Sequence, residues 1–233
     1  YTTKYLSMDG VDDTARASSA WSVPSAAYSC SLWARFPLSL AGLVNSDRLI
    51  TMHGNTSTWT SLRFCIEVKP NGDMLFREGN ADSAAPSSAY IGWTNVIPTD
   101  GDWHHWAFTS EGVNGGDMKV YLDGSVVMSG SSGKDLSGSP YALNLYVGTP
   151  GHGGGPTPCD IDEITIWDAE LTGVQVTALW NDPNGPTTPS ATNLINHLRM
   201  GDGTGDAGTT ITDQVGNQDL TLANGAEITA GHP

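Results

Sequence analysis

The chain has 233 residues, and its 25 acidic against 10 basic side chains give a formal charge of −15, a balance that repels phosphate backbones and disfavours a nucleic-acid partner. Hydrophobic residues make up 38%, enough for one sheet-on-sheet core in which only one face of each strand must be apolar. No apolar run is long enough to span a bilayer, so membrane insertion is not expected.

In chain order, residues 1–13 read as a first strand ending in the acidic turn Asp9-Gly10-Val11-Asp12-Asp13. Tyr28, Cys30, Leu32, Ala34 and Phe36 alternate strictly and predict a strand with these five on one face. Short strands follow over 48–52 and 61–69; Pro70-Asn71-Gly72-Asp73 is a turn, and 74–77 returns from it. The polar stretch 78–89, rich in Ala, Ser and Pro, predicts a surface loop. The run Gly101-Asp102-Trp103-His104-His105-Trp106-Ala107-Phe108-Thr109 is too densely aromatic and β-branched for a loop. Lys119-Val120-Tyr121-Leu122-Asp123-Gly124 is a strand running into a tight hairpin turn, with 125–128 as its second arm. A further strand over 143–147 and a glycine-rich loop over 151–156 precede Asp160-Ile161-Asp162-Glu163-Ile164-Thr165-Ile166-Trp167. The one helical candidate is 172–180, where Val174, Leu179 and Trp180 fit a helical stripe loosely. Residues 183–192 read as a connector, and 193–233 hold further strands.

The stretches "DWHHWAF", "VYLDG" and "IDEITIW", in this order, resemble the laminin-G-like, concanavalin-A-like jelly-roll family. That resemblance implies an all-β fold: a two-sheet antiparallel jelly-roll sandwich over residues 1–182, with at most one short helix near 172–180. Residues 193–233 are then expected to complete the same sandwich or to pack on a partner. The family mostly binds and adheres, so a non-catalytic role is expected.

Some members of the family hold a structural Ca²⁺ near the "DGxDD" turn and the "IDE" strand start. This makes Asp9, Asp12, Asp13, Asp160 and Asp162 candidate ligands, since Ca²⁺ gathers about six to eight oxygens. The alternative is that Asp9 and Asp162 cap backbone amides at the sandwich rim, as Asx side chains do in turns. The alternation Asp160-x-Asp162-Glu163 is similar to the acidic strand of family-16 glycoside hydrolases. Thr165 stands where the last acid belongs, and adjacent Asp162 and Glu163 are expected to point to opposite faces, which argues against hydrolysis. The histidines show no metal-binding spacing, and no Gly-x-Ser-x-Gly elbow is present. Cys30, Cys65 and Cys159 form an odd set with no metal spacing, and no disulfide can be assigned among them.

Trp59, Tyr90 and Trp93 fall in or beside loops, where an aromatic ring can stack on a sugar; with His152 they are the candidate glycan-binding residues. The other reading of such a ring is a side chain folded back over a core edge. The C-terminal texture, Leu198-Arg199-Met200-Gly201-Asp202-Gly203 and Asn217-Gln218-Asp219-Leu220-Thr221-Leu222, is similar to the ends of laminin-G-like structural proteins of tailed bacteriophages. It implies a virion-associated decoration or adhesion protein on a capsid or tail surface. Its partners would be further copies of itself, other virion proteins and a cell-surface polysaccharide. A carbohydrate-binding module or glycoside-hydrolase-like protein on the same fold, acting outside the cell, is the alternative.

Overall fold

The structure, a computed structural model, describes residues 3–17, 26–41, 43, 47–54, 62–79, 88–136, 143–148, 155–182 and 191–231. These form β1 (Lys4–Met8), β2 (Thr14–Ala17), β3 (Tyr28–Arg35), β4 (Asp47–Gly54), β5 (Leu62–Val68), β6 (Met74–Gly79), β7 (Ser88–Trp93), β8 (Trp103–Ser110), β9 (Asp117–Leu122), β10 (Ser125–Ser131), β11 (Leu143–Gly148), β12 (Cys159–Trp167), α1 (Gly173–Trp180), β13 (Leu194–Leu198), β14 (Thr210–Ile211), β15 (Leu220–Ala223) and β16 (Glu227–Ala230). Two antiparallel eight-stranded sheets result. The first runs β10-β9-β8-β3-β12-β1-β16 with β13 also on β12, and the second β14-β15-β2-β11-β4-β5-β6-β7. The fold is the expected jelly-roll sandwich.

The core lies between the sheets and follows the alternation of β3. Tyr28, Cys30, Leu32, Ala34 and Phe36 are all buried in it, with Trp106, Phe108 and Val120 from the neighbouring strands. Cys30 stands opposite Phe108 and Leu32 opposite Trp106, so the face that excludes water is continuous across strands. Aromatic contacts then join the layers. Phe108 meets Phe76 of the second sheet edge-on at 5.7 Å, and Tyr28 stacks on Phe64 at 5.3 Å. The β9–β10 hairpin turns on Asp123 and Gly124, both at positive φ (48° and 75°), the primed turn that matches strand twist. All three cysteines are buried and free.

Two expectations need correction. Glu78 does not open a surface loop; it lies within β6 and is fully buried. The strand can continue through it because both carboxylate oxygens are satisfied inside the sandwich. Tyr28 Oη donates to one at 2.8 Å and Ser132 Oγ to the other at 2.6 Å. The helix is Gly173–Trp180, closed at its start by a capping box between Thr172 and Gln175. Its buried residues are Val176 and Leu179, whereas Val174 is 82% exposed. Val176 and Leu179 pack with Ala107, Tyr121, Trp167, Leu171 and Leu194 on the outer face of the first sheet, away from the main core.

The C-terminal segment feeds both sheets: β13 pairs with β12, β16 with β1, and β15 with β2. Much of its acidity holds backbone in place. Asp206 accepts from the amides of Gly201, Gly203 and Thr212, and Asp213 from those of His197, Val215 and Gln218.

Candidate functional site

Strands β8, β3, β12 and β1 are consecutive neighbours in the first sheet, and at one end of it their termini line an open cavity of about 270 Å³. Met8, Phe36, Pro37, Leu38 and Pro158 supply apolar walls, with Gly101 and Cys159 between them, and Arg35 and Asp160 form the polar side. Register brings the polar pair together on the outer face, whereas Met8, Phe36 and Cys159 belong to the inward face and the core. Ser7 stands opposite Asp160, Asp160 opposite Arg35, and Arg35 opposite Trp103, so these side chains share one outward-facing row.

Arg35 is held on three sides. Its Nε and Nη2 both donate to Asp160 Oδ2, at 2.9 and 2.7 Å. Its guanidinium carbon lies 5.2 Å from the ring centres of both Tyr5 and Trp103. Burial works against the charge, and the Asp160 carboxylate outweighs it, so the Arg35 pKa is raised. Both donors meet the same oxygen, Asp160 Oδ2.

The acidic turn abuts this cavity. Gly10 (φ +79°) packs so closely on Pro158 that a Cβ there would come within 2.7 Å of the ring. The carboxylates of Asp9, Asp12 and Asp13 lie within 4.8 Å of one another. Asp9 Oδ1 accepts from Val11 N and Asp13 Oδ2 from Asp9 N, whereas the buried Asp13 Oδ1 has no partner. Burial, and then the charges of Asp9 and Asp12, raise the Asp13 pKa against the lowering effect of the Asp9 amide. An orphaned buried oxygen within a knot of carboxylates fits a hard divalent cation. Asp160 and Asp162 stand outside that group. Asp160 is bound to Arg35, and Asp162, fully buried, accepts from Glu163 N.

The expectation that Asp162 and Glu163 face opposite ways is overturned. The β12–β3 register slips between Asp162 and Thr165, and Glu163 takes a left-handed φ of +49°. That bulge turns Glu163 to the outer face beside Asp162. There its carboxylate meets His197 Nε2 and, at 3.0 Å, Arg199 Nε.

Of the sequence-predicted sugar contacts, Trp59 and His152 lie outside the described residues. Tyr90 and Trp93 belong to the edge strand β7 rather than to loops, and are 58% and 51% exposed. Three residues apart on a strand, they face opposite ways, with Arg77 over the Tyr90 ring at 4.8 Å. They do not converge. Apart from Asp160, singled out as a cation ligand, the cavity residues were not picked out from sequence, although Arg35, sharing an outer face with Trp33 at a strand end, was a readable signal.

A family model described as the concanavalin A-like lectin/glucanases superfamily matches residues 9–177. The chain belongs to that superfamily. Curated protein sequences give no match. Among solved structures, the heptameric pentraxin of Limulus polyphemus is similar at TM-score 0.62 and 17% identity, over 99% of this chain and 95% of the pentraxin. A Bacteroides ovatus protein named for carbohydrate binding is similar at TM-score 0.66 and 15% identity, over 98% of this chain and 60% of that one. At such identities these likenesses establish the lectin/glucanase fold.

Proposed function

We propose that this superfamily member binds glycans without turning them over, and that it does so as a subunit on the surface of a phage particle. The observation that carries the glycan reading is the cavity at the ends of β1, β3, β8 and β12. A pyranose ring presents C–H faces and a rim of hydroxyls; the cavity offers apolar walls and one rigid donor–acceptor pair, Arg35 with Asp160. The naming of the Bacteroides ovatus relative for carbohydrate binding agrees with it. The acids of β12 are badly placed for hydrolysis: Asp162 is fully buried, and Arg199 and His197 occupy the two oxygens of Glu163.

The virion reading rests on the C-terminal texture. A surface with a formal charge of −15 keeps free subunits apart, and weak contacts multiplied over neighbouring copies and other virion proteins would supply the affinity. Ca²⁺, if bound, would be held by Asp9, Asp12 and Asp13 and would neutralise the buried Asp13 carboxylate.

A polysaccharide panel tests the function directly. The expected outcome is weak binding by the monomer and much stronger binding by a multivalent display, with loss in Arg35→Ala and Asp160→Asn and no release of reducing ends. Reproducible cleavage that disappears in Glu163→Gln would replace this reading with the hydrolase one. Mass spectrometry of purified particles checks the location.

A further inference from the structure

We infer that a second copy of this chain docks on one flank of the sandwich, made by the edges of β7 and β10 with the neighbouring face of α1. This rests on the subunit reading above and names the surface that such a subunit would use. Charge is the first observation. The chain carries 25 acidic and 10 basic residues, yet the six residues of β7, the seven of β10 and the eight of α1 include no Asp, Glu, Lys, Arg or His. Arg77, which reaches over the Tyr90 ring, is paired with Glu67 at 2.9 Å. Exposure is the second. Of the nine large apolar side chains exposed among the described residues, five belong to these elements: Tyr90 and Trp93 on β7, Val126 on β10, and Val174 and Trp180 on α1. The three elements adjoin. Gly130 of β10 faces Ile91 of β7 so closely that a Cβ would come within 2.4 Å of it, and Val126 and Val174 line one groove beside Gly124.

A strand edge is a row of amides and carbonyls awaiting partners, and natural sheets guard such edges with charge, proline or shortness. Two of the four sheet edges are guarded in that way: β14 is two residues long, and β16 is four residues with Glu227 among them. β10 is not. It ends the first sheet at seven residues, and its bulge between Val126 and Met128 leaves Met128 to Ser131 in regular register with β9. Two copies meeting flank to flank about a two-fold axis bring these segments together antiparallel, each supplying the donors and acceptors that the other lacks. Charge then selects the occupant. Copies with a formal charge of −15 repel wherever acids face acids, and on this flank β7, β10 and α1 oppose none. A basic partner would find no carboxylate on these elements to pair with.

Sedimentation equilibrium of the whole chain tests this. The expected result is a reversible monomer–dimer equilibrium that tightens as salt screens the remaining repulsion. Val126→Asp combined with Ser129→Asp, both at exposed positions, should weaken the dimer about a hundredfold or more. The melting temperature of the same variant, read in dilute monomer, should match the parent and so show that it folds. Val215→Asp, on an exposed valine outside this flank, should leave the dimer intact. Ser129→Cys should yield a disulfide-linked dimer on mild oxidation, since paired antiparallel strands hold Cα atoms about 5 Å apart and the native cysteines are buried. A dimer that survives the double variant places the contact on another face and overturns the inference. Assemblies larger than two overturn the two-fold arrangement, and a chain that stays monomeric up to about 1 mM overturns the contact itself. In each of these cases the polysaccharide panel reports separately on glycan binding, so the two readings fail independently.

Discussion

Asp13 is 3% exposed, one of its oxygens has no hydrogen-bond partner, and two more carboxylates lie beside it. Without a cation this arrangement opposes folding. Asp13→Asn keeps an acceptor for the Asp9 amide and removes a charge, so in chelator it should raise the melting temperature. Millimolar Ca²⁺ should stabilise the parent by mass action and leave the variant unmoved; equal responses to Ca²⁺ would remove the cation from the account. The adjacent histidines titrate in opposite senses. Burial holds His105 down at about 4, whereas for His104 the Asp123 and Asp100 carboxylates overcome burial and raise its pKa above 6.5. The His105 contribution is therefore present above pH 6.5 and lost as pH falls towards 4, because the unfolded chain takes up the proton first. The His104 contribution is full below pH 6.5 and fades as pH rises through its higher folded value. Urea titrations of His105→Phe should show a flatter acid limb, by about 3 kcal/mol at most between neutral pH and pH 4; an unchanged limb would assign the acid sensitivity to other groups.

At the scale of single elements, α1 and β12 differ in how far sequence foretells them. The helix was expected over 172–180 from a loose apolar stripe and the family resemblance; its start is fixed by a capping box between Thr172 and Gln175, a spacing that the sequence carries. Thr172→Ala should cost about 1 kcal/mol, read as a drop in urea midpoint with unchanged slope. No change at all would mean that packing of Val176 and Leu179 alone fixes the helix. The bulge in β12 left no such trace. Glutamate has no preference for positive φ, and only the pull of His197 in β13 and of Arg199 just beyond it, more than thirty residues later, explains why Glu163 turns. β7 was hidden for a related reason: its short apolar content follows a long polar stretch, and its strand character comes from pairing with β6.

For the molecule as a whole, the sandwich could be read from the alternation of β3 and from the resemblance of three motifs, whereas β5 and β11, buried along their whole length, declare no single face. The cavity could not be read. It gathers Met8, Arg35 to Leu38, Gly101 and Pro158 to Asp160, fragments that mean little until sheet order makes them neighbours. The C-terminal strands bring Leu198, Met200, Ile211, Leu220 and Leu222 into the core. Deleting residues 193–233 should therefore expose apolar surface and the bare edges of β1 and β2, giving aggregation on size-exclusion chromatography. A soluble monomer with an unchanged melting temperature would show that these strands are dispensable.

Lys4 stands directly opposite Ala230 in the β1–β16 pair, which sets the first and last strands side by side, about 4.8 Å apart. A unit with neighbouring ends can be spliced into a surface loop of a host protein with little distortion of either, much as a bead is threaded onto a cord. The strand ends that frame the cavity need not be cut for this. A few Gly/Ser residues joining 231 to 3, with a new opening at the Pro70–Asp73 turn, should give a circular permutant that still folds.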